Sequence, residues 1–317
     1  MSLARAIETG DLTALPSRRD EDWRWTDLRG LLRTLPPAAP AKLERIVVNP
    51  GETRVVDLCF RVAAGYSQVT RGDIQVADGG HLALTEDYDG EGVSDTELTI
   101  SLGANSRLER IVKTHSSDDA VCVSRAEVTL GAGAVLRQTV LTSGARRQRI
   151  ETRVTHPGAG ASVRLDGLYL LADKRHADIT TAVTHAGVGG TTDQLIKGVV
   201  RDQARGVFQG RIVVSPGADQ TEARMGHHAL VLSDRAEVDG KPELEIYADD
   251  VVCAHGNTVG ALDEDALFYA RQRGIPEYEA RAMLTEAFVG EVIARIENDA
   301  ARESARAWVA SQLGRAS

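Results

Sequence analysis

The residues best suited to do chemistry stand together in Asp249-Asp250-Val251-Val252-Cys253-Ala254-His255-Gly256. If a strand runs through them, Cys253 and His255 are two residues apart and project from one face, offering a thiolate and an imidazole to a common ion or cluster. Two ligands do not complete a site. Zinc or an iron-sulfur cluster usually takes four protein groups, so the rest would come from elsewhere in the chain or from a partner. On spacing alone the commoner reading is a small buried cysteine and a histidine bonded to a backbone carbonyl. Cys59 and Cys122 lie in strand-like apolar runs and read as buried structural cysteines. Three widely spaced cysteines make neither a disulfide framework nor a self-contained CxxC zinc site. His227-His228 invites a metal reading, but neighbours on a strand point to opposite faces and do not chelate one ion together. The chain has no GxxxxGKS/T, GxSxG, HExxH or strand-to-helix GxGxxG, so it brings no phosphate cradle, nucleophile elbow or zincin helix of its own.

The element that must position Cys253 and His255 is a repetitive β body. The 317 residues are 42% apolar, and 37 Lys plus Arg stand against 46 Asp plus Glu; the formal charge of −9 is the wrong sign for a nucleic-acid partner. No apolar stretch approaches about 18 residues, and Glu8 and Asp11 lie where an export signal would be apolar, so a cytoplasmic chain without membrane contact is expected. Only 4 Phe, 3 Trp and 6 Tyr occur, which leaves a core of Val, Leu, Ile and Ala suited to thin stacked layers. Short alternating runs such as Leu98-Thr99-Ile100-Ser101-Leu102 are each followed by glycine. The turns Gly103-Ala104-Asn105, Gly131-Ala132-Gly133, Gly158-Ala159-Gly160, Gly187-Val188-Gly189 and Gly217-Ala218-Asp219 begin 28, 27, 29 and 30 residues apart. Such a period is that of a solenoid with two strands per coil, with corner glycines supplying positive φ and thin bends. An antiparallel β-sandwich has turns as frequent but gives no reason for the period.

At the ends the pattern changes. Residues 2–35 read as helical, with Leu3, Ile7 and Leu12 on one face, and Pro36-Pro37-Ala38-Ala39-Pro40 marks a boundary. After Gly260, acids lead and arginines trail in a first helix stopped by Gly274. Pro276 and Glu277 open a second, whose Met283, Leu284, Ala287, Phe288, Val292 and Ile296 form a wide apolar face suited to packing or docking. A third spans about 300–313 with Trp308 inward. The expected fold is mainly β: a right-handed parallel β-helix (solenoid) core over 46–262, an N-terminal helical domain over 1–45 and a C-terminal helical domain over 263–317.

The stretch from Leu232-Ser233-Asp234-Arg235 through Glu243-Leu244-Glu245-Ile246-Tyr247 to Cys253-Ala254-His255-Gly256 resembles the signature of the SufB/SufD family of iron-sulfur cluster assembly proteins. Val259-Gly260, Leu262-Asp263-Glu264-Asp265, Phe268-Tyr269, Arg273-Gly274-Ile275-Pro276 and Glu279-Ala280-Arg281 continue it, and Phe208-Gln209-Gly210 and Gln220-Thr221 extend it upstream more weakly. Glu21-Asp22-Trp23-Arg24-Trp25-Thr26-Asp27-Leu28 is similar to the N-terminal segment of SufD, and the cysteine-rich insertions expected of SufB are absent. The resemblance implies a β-helix core flanked by helical domains, in a non-catalytic scaffold subunit. It implies a heterodimer with SufB through the end of the β-helix, carrying two copies of the ATPase SufC, with a transient iron-sulfur cluster at the SufB interface. No nucleotide would bind this chain itself. His255 matches the SufD histidine implicated in building the nascent cluster, and Cys253 the neighbouring family cysteine. Residues 273–288 match the helical region that contacts SufC, which points to Arg273, Gly274, Ile275, Pro276, Glu279, Ala280, Leu284 and Phe288 as docking residues. The alternative is a homodimeric β-helix that binds no metal. The sequence departs from the family in a compact N-terminal half and in the His227-His228 pair, for which the resemblance gives no role.

Overall fold

The computed structural model describes residues 1–314, and in them the alternating runs fold as two parallel eight-stranded sheets. Sheet A contains β1 (Lys42–Val48), β3 (Ser67–Val76), β5 (Val93–Leu102), β7 (Val121–Leu130), β9 (Arg147–His156), β11 (His176–His185), β13 (Arg205–Val214) and β15 (Glu237–Ile246), in that order. Sheet B contains β2 (Thr53–Phe60), β4 (His81–Tyr88), β6 (Arg107–Thr114), β8 (Val135–Thr142), β10 (Ser162–Leu171), β12 (Thr191–Val200), β14 (Thr221–Val231) and β16 (Val251–Gly260). Each coil gives one strand to each sheet, so every ladder joins neighbouring coils. The parallel β-solenoid expected from the repeat is the fold.

Register explains the composition. Ile46, Ile74, Ile100, Val128, Val154, Val183, Ile212 and Leu244 are successive partners along sheet A, one per coil, and the first seven are buried. β-branched side chains with stiff χ1 stack well in such a column, where a bulky aromatic would force the sheets apart. The interior is not wholly apolar. Glu86 and Arg110, 0% and 1% exposed, form a two-bond pair at 2.6 and 2.8 Å between coils. Tyr88 donates to Glu86 at 2.9 Å and Arg110 donates to Gln138 at 2.6 Å, bonds that offset the desolvation of both charges.

Two demands fall on different residues of the corner triplets. A Cβ on Gly131, Gly158 or Gly187 would lie 2.8, 2.2 or 2.7 Å from backbone atoms of the preceding coil. These leading glycines serve close stacking, and their φ is not positive. Left-handed backbone falls two residues later, at Asn105, Gly133, Gly160 and Gly189, with φ of 54°, 64°, 68° and 68°. Corner glycines thus supply positive φ as expected at Gly133, Gly160, Gly189 and Gly217, the last at 79°, while in the first corner Asn105 takes that conformation.

Residues 2–35 are less helical than expected. They contain α1 (Leu3–Thr9) and α2 (Leu28–Leu31), joined through single turns at Leu12–Ala14 and Glu21–Trp23. Gly10, left-handed at φ 71°, ends α1, and Pro16 follows before a new start is possible. Tertiary contacts fix the segment instead: Leu3, Ile7, Trp23 and Leu28 bury against Val69, Val93, Val121 and Val123 on the outer face of sheet A. Arg149 donates to the Asp22 carbonyl at 2.6 Å while its guanidinium lies 4.6 Å from the Trp23 ring centroid. The proline stretch is tied down too, with Ala38 bridged to Ser67.

The C-terminal helices α3 (Glu264–Gln272), α4 (Glu277–Ala294) and α5 (Asp299–Gly314) lie on the sheet B side. Val289, Val292, Ile293 and Ile296 with Ala305, Trp308 and Val309 pack onto Leu141, Leu168, Leu170, Leu195 and Val199. No helix among the described residues is long and apolar enough to cross a membrane.

Candidate functional site at the open end of the solenoid

β15 and β16 form the last coil, and each has a strand partner on one side only. Their free edges present unpaired backbone N–H and C=O groups. β16 is exposed throughout Ala254 to Gly260, with Val252 and Val259 exposed at 62% and 49%. Its register against β14 is Cys253↔Ala223, His255↔Met225 and Asn257↔His227. Ala223, Met225 and His227 are buried in the solenoid interior, so Cys253, His255 and Asn257 line the mouth of that same interior.

The strand thus runs through the segment, and Cys253 and His255 share one face. Cys253 is half-buried against the aliphatic core, and burial pushes its thiol up, partly opposed by a backbone contact from Ala223. Such a thiol becomes a strong ligand only when a cation displaces its proton. His255 is exposed and bonded to no described residue. Among the described residues no group of three or more His, Cys, Asp or Glu is placed to hold a metal ion. Cys253 and His255 thus stand as a pair on one face of β16, with no third such side chain placed beside them among the described residues.

His227 and His228 point to opposite faces, as a strand requires. His228 faces outward, its Nδ1 2.7 Å from Thr258 Oγ1. His227 is 0% exposed; Nε2 lies 2.8 Å from the Tyr169 hydroxyl and Nδ1 2.7 Å from Asn257 Oδ1. Burial pushes its pKa down to about 4, against the Asn257 bond that raises it, so the ring is neutral. Asn257 was missed by the sequence reading, although the two-residue period that linked Cys253 to His255 extends to it.

The docking residues inferred for the C-terminal helices divide. Arg273, Gly274, Pro276 and Glu279 are exposed, while Ile275, Leu284 and Phe288 are half-buried in contacts within the chain. Ala280 is 1% exposed against Leu262 and Leu267, so it faces away from any partner. The wide apolar face of α4 is largely spent on the protein's own core. Exposed apolar surface lies on Phe268, Tyr269, Tyr278 and Met283, between 52% and 77% exposed; of these only Met283 belongs to the apolar face expected from the helical spacing.

Cys59, expected to be buried, is exposed. It lies on the outward-facing side of β2, which no helix covers. There it lines a groove of about 920 Å³ between sheet B and the α4–α5 turn. Asp87 in the groove pairs with Lys113 at 3.4 Å and lies 3.5 Å from His115 Nε2, and the groove lies away from Cys253 and His255. Cys122 is buried as expected.

Fold and site define a class: a parallel β-solenoid with helices at both ends, whose unpaired last coil carries a thiol and an imidazole at its mouth. The sequence matches the family described as SUF system FeS cluster assembly, SufBD core domain, over residues 60–288, and the chain belongs to that family. Relatives include the iron-sulfur cluster assembly protein SufD of Escherichia coli, 29% identical over 247 residues, 77% of this chain and 58% of that protein. A SufBD family protein of Mycobacterium leprae is 32% identical over 248 residues, 76% of this chain and 63% of the relative. One from Synechocystis is 32% identical over 197 residues, 62% of this chain and 44% of the relative. The chain thus spans roughly half the length of these curated relatives.

Proposed function

We propose that the chain is a SufD-like, non-catalytic scaffold subunit of a cytoplasmic assembly that builds iron-sulfur clusters, pairing through its open last coil with SufB. The observation that carries this reading is the position of Cys253 and His255 at the mouth of a coil whose strand edges are unpaired. A second solenoid continuing the sheets across β15 and β16 brings its own ligands opposite them. Imidazole and thiolate are both competent iron ligands, so the nascent cluster is cargo held between two subunits. The division into an N-terminal segment over 1–45, a solenoid core over 46–262 and a SufC-docking module over 263–317 belongs to this reading. Arg273, Gly274, Ile275, Pro276 and Glu279, with the exposed Phe268, Tyr269, Tyr278 and Met283, offer the surface for SufC. Its nucleotide cycle does work on the scaffold only through different affinities for two scaffold conformations.

The test is co-expression with the cognate SufB and SufC, comparing the native chain with His255→Ala. Intact complex that has lost most of its iron and acid-labile sulfide is expected. An intact complex with undiminished iron and sulfide would remove His255 from the site, and a self-paired chain that SufB does not displace would favour the homodimer.

A further inference from the structure

Behind the open end, one polar column crosses the aliphatic interior. Tyr169 on β10 reaches past β12 to His227 on β14, a span of about two strand spacings, roughly 9.6 Å. Space for its ring is made by missing side chains: a Cβ on Gly198 would lie 1.9 Å from the Tyr169 ring, and one on Gly206 2.4 Å. The hydroxyl of Tyr169, itself 0% exposed, meets His227 Nε2 at 2.8 Å and has no other partner among the described residues.

That isolation fixes the direction of every bond in the column. A buried phenol proton needs an acceptor, so Tyr169 donates to Nε2. The neutral imidazole then carries its proton on Nδ1 and donates to Asn257 Oδ1 at 2.7 Å. The Asn257 amide cannot flip without setting its NH2 against the Nδ1–H. Its two N–H groups are therefore pinned on the far side, where a Cβ on Gly240 of β15 would lie 2.4 Å from Nδ2. They donate to no described residue, and they lie two residues beyond His255 on the same face of the unpaired β16.

We propose that Asn257 is a positioning residue of the pairing end, its NH2 held away from His227, beside Gly240 at the mouth of the last coil, to donate a hydrogen bond to iron-bound sulfur, sulfide or thiolate, brought to His255. The inference rests on the cluster-building reading above. Anionic sulfur is the chemistry that fits: an oriented donor, no positive charge, and an imidazole ligand one strand period away. Hydrogen bonds to sulfur stabilise the reduced form of a cluster and raise its potential. The role of His227 is thereby explained as the group that orders the amide.

The test uses the assembled complex with cognate SufB and SufC. Asn257→Asp keeps an acceptor for His227 but replaces the outward donors with oxygen. It is expected to leave complex recovery and melting temperature native, to lower the chelator concentration that strips half the iron by about tenfold, the low end for loss of an outer-shell partner, and to shift the cluster potential negative. His227→Phe, which frees the amide to rotate, should move both readouts in the same direction by less. Native iron retention and potential in Asn257→Asp would overturn the proposal. Loss of the complex itself would also overturn it, assigning Asn257 to contact with the partner's backbone. His255→Ala run in parallel separates the two readings: if it loses iron while Asn257→Asp does not, only this inference fails; if it keeps full iron, both fail.

Discussion

Four histidines are buried and neutral: burial pushes His156 and His227 down to about 4, and His176 and His185 to about 3. His156 and His185 meet edge to face, 3.9 Å between ring centroids and 75° between planes, and neither ring nitrogen of His156 is bonded among the described residues. Two carboxyls go the other way, Asp95 raised to about 7 and Asp166 to about 6, both chiefly by burial. The signs oppose. A histidine with a depressed folded pKa takes up a proton on unfolding below its unfolded value of about 6.5, so acid destabilises. An aspartate with a raised folded pKa loses its proton on unfolding above about 3.9, so between there and its folded value acid stabilises. Between pH 6 and 5, four histidines against two aspartates leave roughly two protons taken up on unfolding, a loss of about 2.7 kcal/mol per pH unit. Urea unfolding at the two pH values checks this, and stability unchanged or higher at pH 5 would refute it. The same residue scale explains why His227 had no legible role: its partners, Tyr169 and Asn257, lie 58 and 30 residues away.

At the scale of elements, the C-terminal helices show how burial and charge divide their work. Five buried Val and Ile side chains of α4, α5 and the turn between them, Val289, Val292, Ile293, Ile296 and Val309, contribute roughly 1.5–3 kcal/mol each and, with Ala305 and Trp308, hold the module on sheet B. Register comes from the turn between the helices. Glu297 pairs with Arg107, with Arg164 at 3.1 Å and with Arg137 at 3.4 Å, residues contributed by three successive strands of sheet B. Arg295 pairs with the buried Asp166 at 3.0 Å and with Asp193 at 2.8 Å. Each half-exposed pair is worth at most about 1 kcal/mol, so the latch aims the helices more than it stabilises them. Glu297→Gln leaves three arginines facing one another. It should lower stability by about 1 kcal/mol and hasten trypsin cleavage at Arg295 and Arg302. Unchanged cleavage and melting would count against the latch. If SufC docks on α3 and the start of α4, this turn is the fixed point against which the module would move.

The whole molecule is quasi-one-dimensional, since each coil contacts its neighbours through ladders of nearly equal extent. Stability is therefore distributed by position along the axis. Coils with neighbours on both sides should exchange amide hydrogen slowest, β7 to β12 above all, and β15 and β16 much faster. On the proposed reading, pairing with SufB should protect β15 and β16 selectively. Hydrogen exchange followed by mass spectrometry reads both, and a β16 as protected in the isolated chain as β9 would show that the end is not open. Openness at this end is also the hazard of any unpaired sheet edge, and among the described residues no helix or inward charge blunts β16.

The period near 28, the alternation within strands, the helical spacing after Gly260 and the Cys253-Ala254-His255 spacing are local patterns of the chain, so they determined the solenoid, the C-terminal helices and the shared face of thiol and imidazole without coordinates. Period and alternation are read from neighbours in sequence, and a parallel solenoid is the fold in which neighbouring coils repeat them. Other features were decided only in three dimensions. Whether Gly131 bends the chain or admits the coil before it depends on what stacks beneath. Whether Cys59 is covered depends on a helix that does not reach β2. Whether the apolar face of α4 meets a partner or the protein's own sheet depends on which surface arrives first, and sheet B claims most of it. The charged pair of Glu86 and Arg110 breaks the alternation from within, because two charges desolvated together can replace an aliphatic pair that either charge alone could not. The amide of Asn257 acquires its direction only because a phenol three coils' worth of sequence away has one acceptor within reach.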